Sequence, residues 1–284
     1  MEIGAFEDAG TRWLVPLESV ASYQFAADGN TAAVADLEEL RAAAARCDVQ
    51  ITVAAGSLAR EHAHARLARE CSRADSWLRV HRVPASFDPR PFIESRSGWP
   101  DPQDWLSGYL ADRGLADIDE QITSAYVSNP WAGDLVLGHL IVMAELGLGA
   151  LTVRTPRDPT IFAGAWGRQR RADHILARMS FTRALWSRAG PGVMLYRGTA
   201  FHDRPVTPDS PSRRQAPLIS ATFSRLVAES HFRSPNAAAA ALYRQPLAPE
   251  LLFMTFLETA GLNCQFREAE AVLLAEGWCF RPVA

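Results

Sequence analysis

Near the C-terminus two carboxylates, Glu268 and Glu270, stand two residues apart at the mouth of the apolar run Ala271-Val272-Leu273-Leu274. Upstream, Arg197 ends another apolar run, Val193-Met194-Leu195-Tyr196, just before Gly198. Between these, the hydroxyls Ser220 and Thr222 punctuate a third run over 218–223. A guanidinium fork grips phosphate or carboxylate oxygens, and a fixed carboxylate moves a proton or stabilises developing positive charge. If the run after Glu270 is a strand, side chains alternate faces and both acids point the same way. Like charges on one face repel, an arrangement that stability alone rarely favours. From this segment by itself, two water-facing acids and half of a site both remain open. Arg197, in a mostly buried strand, needs an anion, because leaving it unpaired there is strongly unfavourable. A salt bridge to one of the glutamates and a contact with an anionic ligand would serve it equally.

The elements that must position these residues change character along the chain. Residues 1–30 mix glycine, aspartate and isolated aromatics, with a turn at Asp28-Gly29-Asn30. The Ala/Leu/Glu content of 31–47 predicts a helix capped by Asn30 or Thr31, then a short strand over 50–53 and a second helix from Ser57 to about Cys71. The Pro- and Arg-rich stretch 83–102 marks a boundary or crossing loop. Asp101-Pro102 reads as a cap and first-turn proline opening a helix to about Asp112. Further helices are expected over 118–127 and, buried, over 131–146. Asp158-Pro159 repeats the cap signal for a long amphipathic helix to about Arg188, with a break at Gly164 or Gly167. From Gly190 the period shortens, predicting strands over 193–198, 218–224 and 251–257. A short helix over 225–232 capped by Ser224 and an alanine-rich helix over 236–244 interrupt them. The Glu-bearing run and 278–283 are expected to pair as a hairpin through Ala275-Glu276-Gly277. The class is therefore α+β, a mostly helical N-terminal portion followed by a β-rich core, with the division placed at 130/131.

Composition narrows the partners. A hydrophobic fraction of 48% with 21% charged residues is ordinary for a soluble domain with a real core. The net charge of -3 gives no electrostatic reason to expect nucleic acid. The basic cluster Arg168-Gln169-Arg170-Arg171 reads as a solvated helix face. All 29 basic side chains are arginine, which a GC-rich coding sequence explains most simply; selection against lysine in a protein that acts inside a foreign cell is the other cause. Cys47, Cys71, Cys264 and Cys279 show no CxxC pairing, so reduced thiols are expected. His62 and His64, two apart on a helix, point about 200° away from each other and cannot share a metal. The acidic N-terminus lacks a signal pattern, and the apolar run 135–151 is too interrupted to span a bilayer. A cytoplasmic protein, or one delivered into a target cell without a cleaved signal, is expected.

The order of the three motifs resembles the mono-ADP-ribosyltransferase family of the Arg-Ser-Glu class. Tyr196-Arg197-Gly198 matches its aromatic-Arg-Gly strand, and Ser220-Ala221-Thr222-Phe223-Ser224 matches its Ser-Thr-Ser strand. Glu268-Ala269-Glu270 matches its Glu-x-Glu motif. The likeness covers about 190–284, and Ala221 and Thr222 depart from the family's middle Thr and final Ser. It implies a split, mainly antiparallel two-sheet core with flanking helices, making 131–284 the catalytic domain and 1–130 an accessory region. It implies NAD⁺ as co-substrate and no metal. The roles it implies are Glu270 stabilising the ribose cation, Glu268 orienting or deprotonating the nucleophile, and Ser220 holding Glu270. Arg197, Gly198, Ser220 and Thr222 would contact NAD⁺, and Phe266 with Glu268 would meet the acceptor. A Glu at position 268 implies an arginine side chain of an acceptor protein, with no nucleic acid or membrane as partner. The biological setting implied is a bacterial toxin or effector, which admits an inhibitory or immunity partner. The same residues also suit an NAD⁺ glycohydrolase using water, or a binding module that keeps the fold without catalysis. A His-Tyr-Glu relative is disfavoured because the first strand carries Arg197 and no histidine, and no matching Arg/His set supports a tRNA phosphotransferase.

Overall fold

A computed structural model of the protein describes residues 3–8, 11–16, 24–25, 32–33, 50–55, 57–97, 99–128, 133–149, 151–154, 159–201, 217–231, 239–263, 266–275 and 281–283. Its described elements mix helix with antiparallel sheet, an α+β composition. The chain divides into two compact units: one comprises 1–65, 131–172 and 214–217, the other 66–130, 173–213 and 218–284. No described helix is long and apolar enough to cross a membrane.

The first unit holds a sheet of which the sequence reading expected only the strand over 50–53. Strands β1 (Ile3–Asp8) and β2 (Thr11–Pro16) pair as antiparallel neighbours. Two-residue strands β3 (Gln24–Phe25) and β4 (Ala32–Ala33) pair separately. Strands β5 (Gln50–Ala55) and β6 (Leu151–Arg154) complete the order β1-β2-β5-β6. Ala32 and Ala33 thus take strand conformation at the start of the helix expected over 31–47. The remainder of that helix and the 28–30 turn lie outside the described residues.

Seven helices are described: α1 (Ser57–Val80), α2 (Arg90–Ser95), α3 (Pro100–Ala111), α4 (Ala116–Ser128), α5 (Asp134–Glu145), α6 (Arg168–Trp186) and α7 (Arg225–Ser230). In the first unit α5 is buried on nearly all sides, as its continuous apolar run requires, and packs against β5. The expected break before α6 occurs: short 3-10 turns at Pro159–Phe162 and Gly164–Trp166 precede it, with Gly164 at φ +57°. Arg171 corrects the reading of its cluster as a solvated face, because it is fully buried. Its guanidinium donates to the carbonyls of Trp166 at 2.8 Å, Leu135 at 2.7 Å and Ile161 at 2.9 Å, and an Nη1 lies 2.7 Å from His139 Nδ1. A planar five-donor fork can thus tie three separate backbone carbonyls together. Burial draws the Arg171 pKa down to about 10.

The second unit is built on a six-stranded antiparallel sheet of β7 (Met194–Phe201), β8 (Leu218–Thr222), β9 (Ala239–Pro246), β10 (Leu252–Thr255), β11 (Glu270–Leu274) and β12 (Arg281–Pro282). The order is β10-β11-β8-β7-β9-β12. Two expectations fail here. The alanine-rich stretch is strand β9, because eight consecutive positions from Ala239 to Pro246 pair with β7 and that tertiary ladder overrides alanine's helix preference. The C-terminal hairpin does not form either: β12 pairs with β9 at the opposite side of the sheet, while β11 lies between β10 and β8. Helix α3 also begins two residues earlier than expected, with Trp99 at the cap position and Pro100 first, so Asp101 sits in the first turn. By contrast Ser224 caps α7 as expected, its Oγ accepting from the Val227 N–H.

The ladder is uneven where it matters. β7 pairs with β9 over eight positions and β8 with β11 over five, but β7 and β8 meet at the single pair Tyr196↔Thr222. The six strands therefore act as two three-stranded halves that part beyond one contact. Behind them Trp186 of α6 stacks on Phe223 at 4.7 Å and donates its indole N–H to Thr255 at 3.1 Å.

Candidate functional site

Where β7 and β8 part, a cavity of about 280 Å³ opens. Tyr196, Arg197 and Gly198 line it from β7, and Ser220, Ala221 and Thr222 from β8. Ala228 of α7, His231 just after it, and the two acids Glu268 and Glu270 complete the lining. Six of the seven residues singled out from sequence thus share one cavity. The seventh, Phe266, is 66% exposed and does not line it.

Each side chain arrives for a physical reason. A guanidinium Nη1 of Arg197 donates to the Ser220 carbonyl, so a side chain bridges the two strands where their ladder has lapsed. This is not the salt bridge to a glutamate that the sequence left open as one option. Burial lowers the Arg197 pKa, partly opposed by Tyr126. The Ser220 hydroxyl shares the cavity with the Glu270 carboxylate and draws its pKa down.

The two acids come together differently from the alternation expected of a strand. β11 begins only at Glu270, and Ala269 sits in the left-handed region at φ +47°. That conformation costs a non-glycine residue roughly 1–2 kcal/mol, so the surroundings must impose it. They do: the Ala269 N–H donates to Asn263 Oδ1 at 3.1 Å, and its carbonyl accepts from Phe223 N–H at 3.0 Å. The Thr222 hydroxyl donates to the Glu268 carbonyl and accepts from the Ser224 N–H at 2.9 Å. Thr222 was expected to contact a ligand. Although it lines the cavity, its buried hydroxyl is engaged in fixing the bend between the acids.

Electrostatics separates the two carboxylates. Burial raises the Glu270 pKa, offset in part by the Ser220 hydroxyl, and the neighbouring Glu268 charge pushes it the same way as burial. Glu268 is more open, with a side chain 33% exposed, and its Oε1 lies 3.5 Å from His231 Nε2. That hydrogen-bonded partner raises the His231 pKa.

Two members of the site went unrecognised in the sequence. Tyr126 falls in line with Ile118 and Ile122 on the buried face of α4, a stripe that reads as core. Its phenol nevertheless interacts with the site: burial raises its pKa further above the usual tyrosine value, Glu270 adds to the shift, and the Ser220 hydroxyl opposes it. The same helix is pinned two turns earlier by Asp119, which accepts from Arg178 and lies 2.8 Å from His174 Nε2. Burial alone would raise the Asp119 carboxyl, but Arg178 and His174 outweigh it and hold it well below the usual range. Ser220 has one hydrogen to give and an ionised Glu270 has none. With Glu270 ionised, the Ser220 hydrogen is directed to it and the Ser220 oxygen is left to the Tyr126 phenol. His231, the second missed residue, follows a short helix and carried no sequence signal. Among the described residues no group of three His, Cys, Asp or Glu side chains converges as a metal site.

The geometry is that of a half-buried arginine and a half-buried carboxylate beside a serine hydroxyl in one cavity, with a second, more open carboxylate next to them. No protein-family model, curated protein or solved structure matches the chain.

Proposed function

We propose that the chain is a mono-ADP-ribosyltransferase that cleaves NAD⁺ at the nicotinamide glycosidic bond and transfers ADP-ribose to an arginine of an acceptor protein. The observation that carries this reading is the convergence of Arg197, Ser220, Glu268 and Glu270 on one cavity at the parting of β7 and β8. At about 280 Å³ the cavity lies near the lower bound, roughly 300–1,000 Å³, of small-molecule sites, which suits one end of a dinucleotide.

Arg197 supplies charge-assisted hydrogen bonds to the pyrophosphate, and Gly198, without a side chain, lets the nicotinamide approach the backbone. As the C1′–N bond breaks, its electron pair goes to the nicotinamide nitrogen and positive charge builds on the ribose. Glu270, held by Ser220 in a desolvated setting, stabilises that charge through the ribose hydroxyls. A guanidinium nitrogen of the acceptor then bonds to C1′ and gives its proton to Glu268. A bacterial toxin or effector is the setting this activity fits.

The test is incubation with labelled NAD⁺ and a cell lysate, following label on protein and free nicotinamide. Label on protein that hydroxylamine removes supports transfer to arginine. Absence of both products, with Glu270→Gln indistinguishable from wild type, would sink the enzymatic reading and leave the binding module. One observation favours a second reading, an NAD⁺ glycohydrolase: Glu268 already has a partner in His231, so water gains over a guanidinium when that pair is closed.

A further inference from the structure

A second cavity, about 800 Å³, lies elsewhere in the second unit and belongs to no part of the site described above. Its apolar wall is Val83, Ala85, Ala184 and Pro249, with Cys71 of α1 and Arg183 of α6 facing the same space. Three arginines and two carboxylates line it, and the pairing among them is unequal. Asp75 accepts from Arg188 at 2.9 Å and lies 3.2 Å from Arg79 Nε, so one carboxylate serves two guanidinium groups. Arg188 is further used as a cap, donating to the Val83 carbonyl at 3.1 Å. Arg183 is left over. Its Nε is buried and has no hydrogen-bond partner among the described residues. Burial depresses its pKa, with the Cys71 thiol and Glu250 pulling the other way. Arg178 Nε is a second buried guanidinium donor without an acceptor among the described residues, but only Arg183 lines a cavity from which one could come.

We propose that this cavity binds a small organic carboxylate with an apolar body, gripped by Arg183. A planar carboxylate matches the guanidinium fork with two parallel hydrogen bonds. The apolar wall takes the body of the ligand, as in most small-molecule sites. A phosphate dianion fits less well, because only one guanidinium is uncommitted while Asp75 and Glu250 stand at the same cavity. The site is independent of the NAD⁺ reading and survives its failure.

Cys71, a free and half-buried thiol on the cavity wall, reports occupancy. The experiment measures carbamidomethylation of Cys71 by iodoacetamide, read on its peptide by mass spectrometry, with benzoate, benzamide or inorganic phosphate present. Benzoate at about ten times its dissociation constant should slow alkylation about tenfold, by simple occupancy. Benzamide, of the same shape without the charge, should protect weakly, and Arg183→Gln should abolish the benzoate effect. Glu250→Gln, an exposed change that cannot endanger folding as an Arg183 variant could, should strengthen protection by removing a repelling charge. The proposal is overturned if benzoate gives no protection, if phosphate protects better than benzoate, if Arg183→Gln protects as well as wild type, or if Glu250→Gln leaves protection unchanged.

Discussion

Tyr126→Phe removes one oxygen, two hydrogen bonds away from where a substrate would sit, and its effect follows from the relay. The phenol is buried and interacts with Ser220, which in turn supports Glu270. Losing a buried neutral hydrogen bond costs about 1 kcal/mol. If that support is expressed fully when charge develops beside Glu270, the rate of nicotinamide release falls about fivefold. The loss should appear in kcat with KM unchanged, because Tyr126 does not line the cavity and the Arg197 contact to the Ser220 carbonyl stays in place. A second readout separates positioning from general damage. The Ser220 hydrogen bond lowers the Glu270 pKa against the rise due to burial. A Ser220 hydroxyl no longer polarised by the phenol donates more weakly, so the acid limb of the pH–rate profile moves to higher pH. The assay is nicotinamide release from NAD⁺ across pH 5 to 9, with circular dichroism confirming the fold. An unshifted acid limb alongside a normal rate, or a loss confined to KM, would refute the relay.

Other consequences follow from the same geometry. Glu270→Gln should lower nicotinamide release by roughly 10²–10³, the scale for removing a preorganised electrostatic group. It should also stabilise the protein. A carboxyl whose folded pKa is raised stabilises the fold only below its ordinary value and loses that contribution as pH rises through the raised one. The Gln variant should therefore melt roughly 2–4 °C higher at neutral pH, about 1 kcal/mol, with the gain vanishing in acid; an equal gain at both pH values contradicts burial as the cause. The His231–Glu268 contact predicts a pH-dependent partition. His231, whose pKa is raised, loses its charge as pH climbs through that value, in a setting that also includes Arg197 and Glu270. Glu268 is then released, so the ratio of protein labelling to free ADP-ribose should rise with pH in wild type and be flat in His231→Ala. Gly138→Ala would place a Cβ 2.7 Å from Arg171 Cζ. Overpacking against that buried cap should cost about 1–3 kcal/mol, read as a lower melting temperature; an unchanged transition would show that the guanidinium can yield.

The three motifs were legible because each carries its own local signal: a polar residue interrupting an apolar run next to a glycine, a cap or a second acid. Strand β7, strand β8 and the Ser224 cap followed from that pattern within a few residues. What failed was non-local. Alanine-rich 239–246 has the composition of a helix, and only the neighbouring β7 ladder makes it a strand. The Gly277 turn suggested that β11 and β12 pair, yet β11 finds partners on both sides, and β12 pairs with β9 instead. Tyr126 could not be told from core, because the apolar stripe that buries α4 also delivers its phenol. The paired acids were grouped correctly for a partly wrong reason: the bend at Ala269, not strand alternation, brings Glu268 to the cavity.

The distribution of costs within the second unit separates a site from a merely stable sheet. Away from the cavity, buried carboxylates are given partners: Asp119 has His174 and Arg178. Glu258 likewise accepts from the Thr255 N–H at 2.5 Å and the Thr182 hydroxyl at 3.2 Å. Around the cavity the opposite holds. A ladder lapses to one pair, an alanine is held left-handed, and two carboxylates of like charge face the same space, one of them desolvated. A sheet selected only for stability would close β7 onto β8, replace Ala269 with glycine and exchange Glu270 for an apolar residue, each change relieving a cost. That these costs sit together, and that Thr222, Asn263 and Phe223 are spent on maintaining them, is what a ligand site requires and a structural salt bridge does not. It follows that Ala269→Gly should relieve the bend's strain while loosening the placement of Glu268. The variant should melt at the same temperature or higher, yet label acceptor protein less efficiently at unchanged nicotinamide release. If both activities fell together, the bend would be serving Glu270 as well, and the division of labour between the two acids would have to be abandoned.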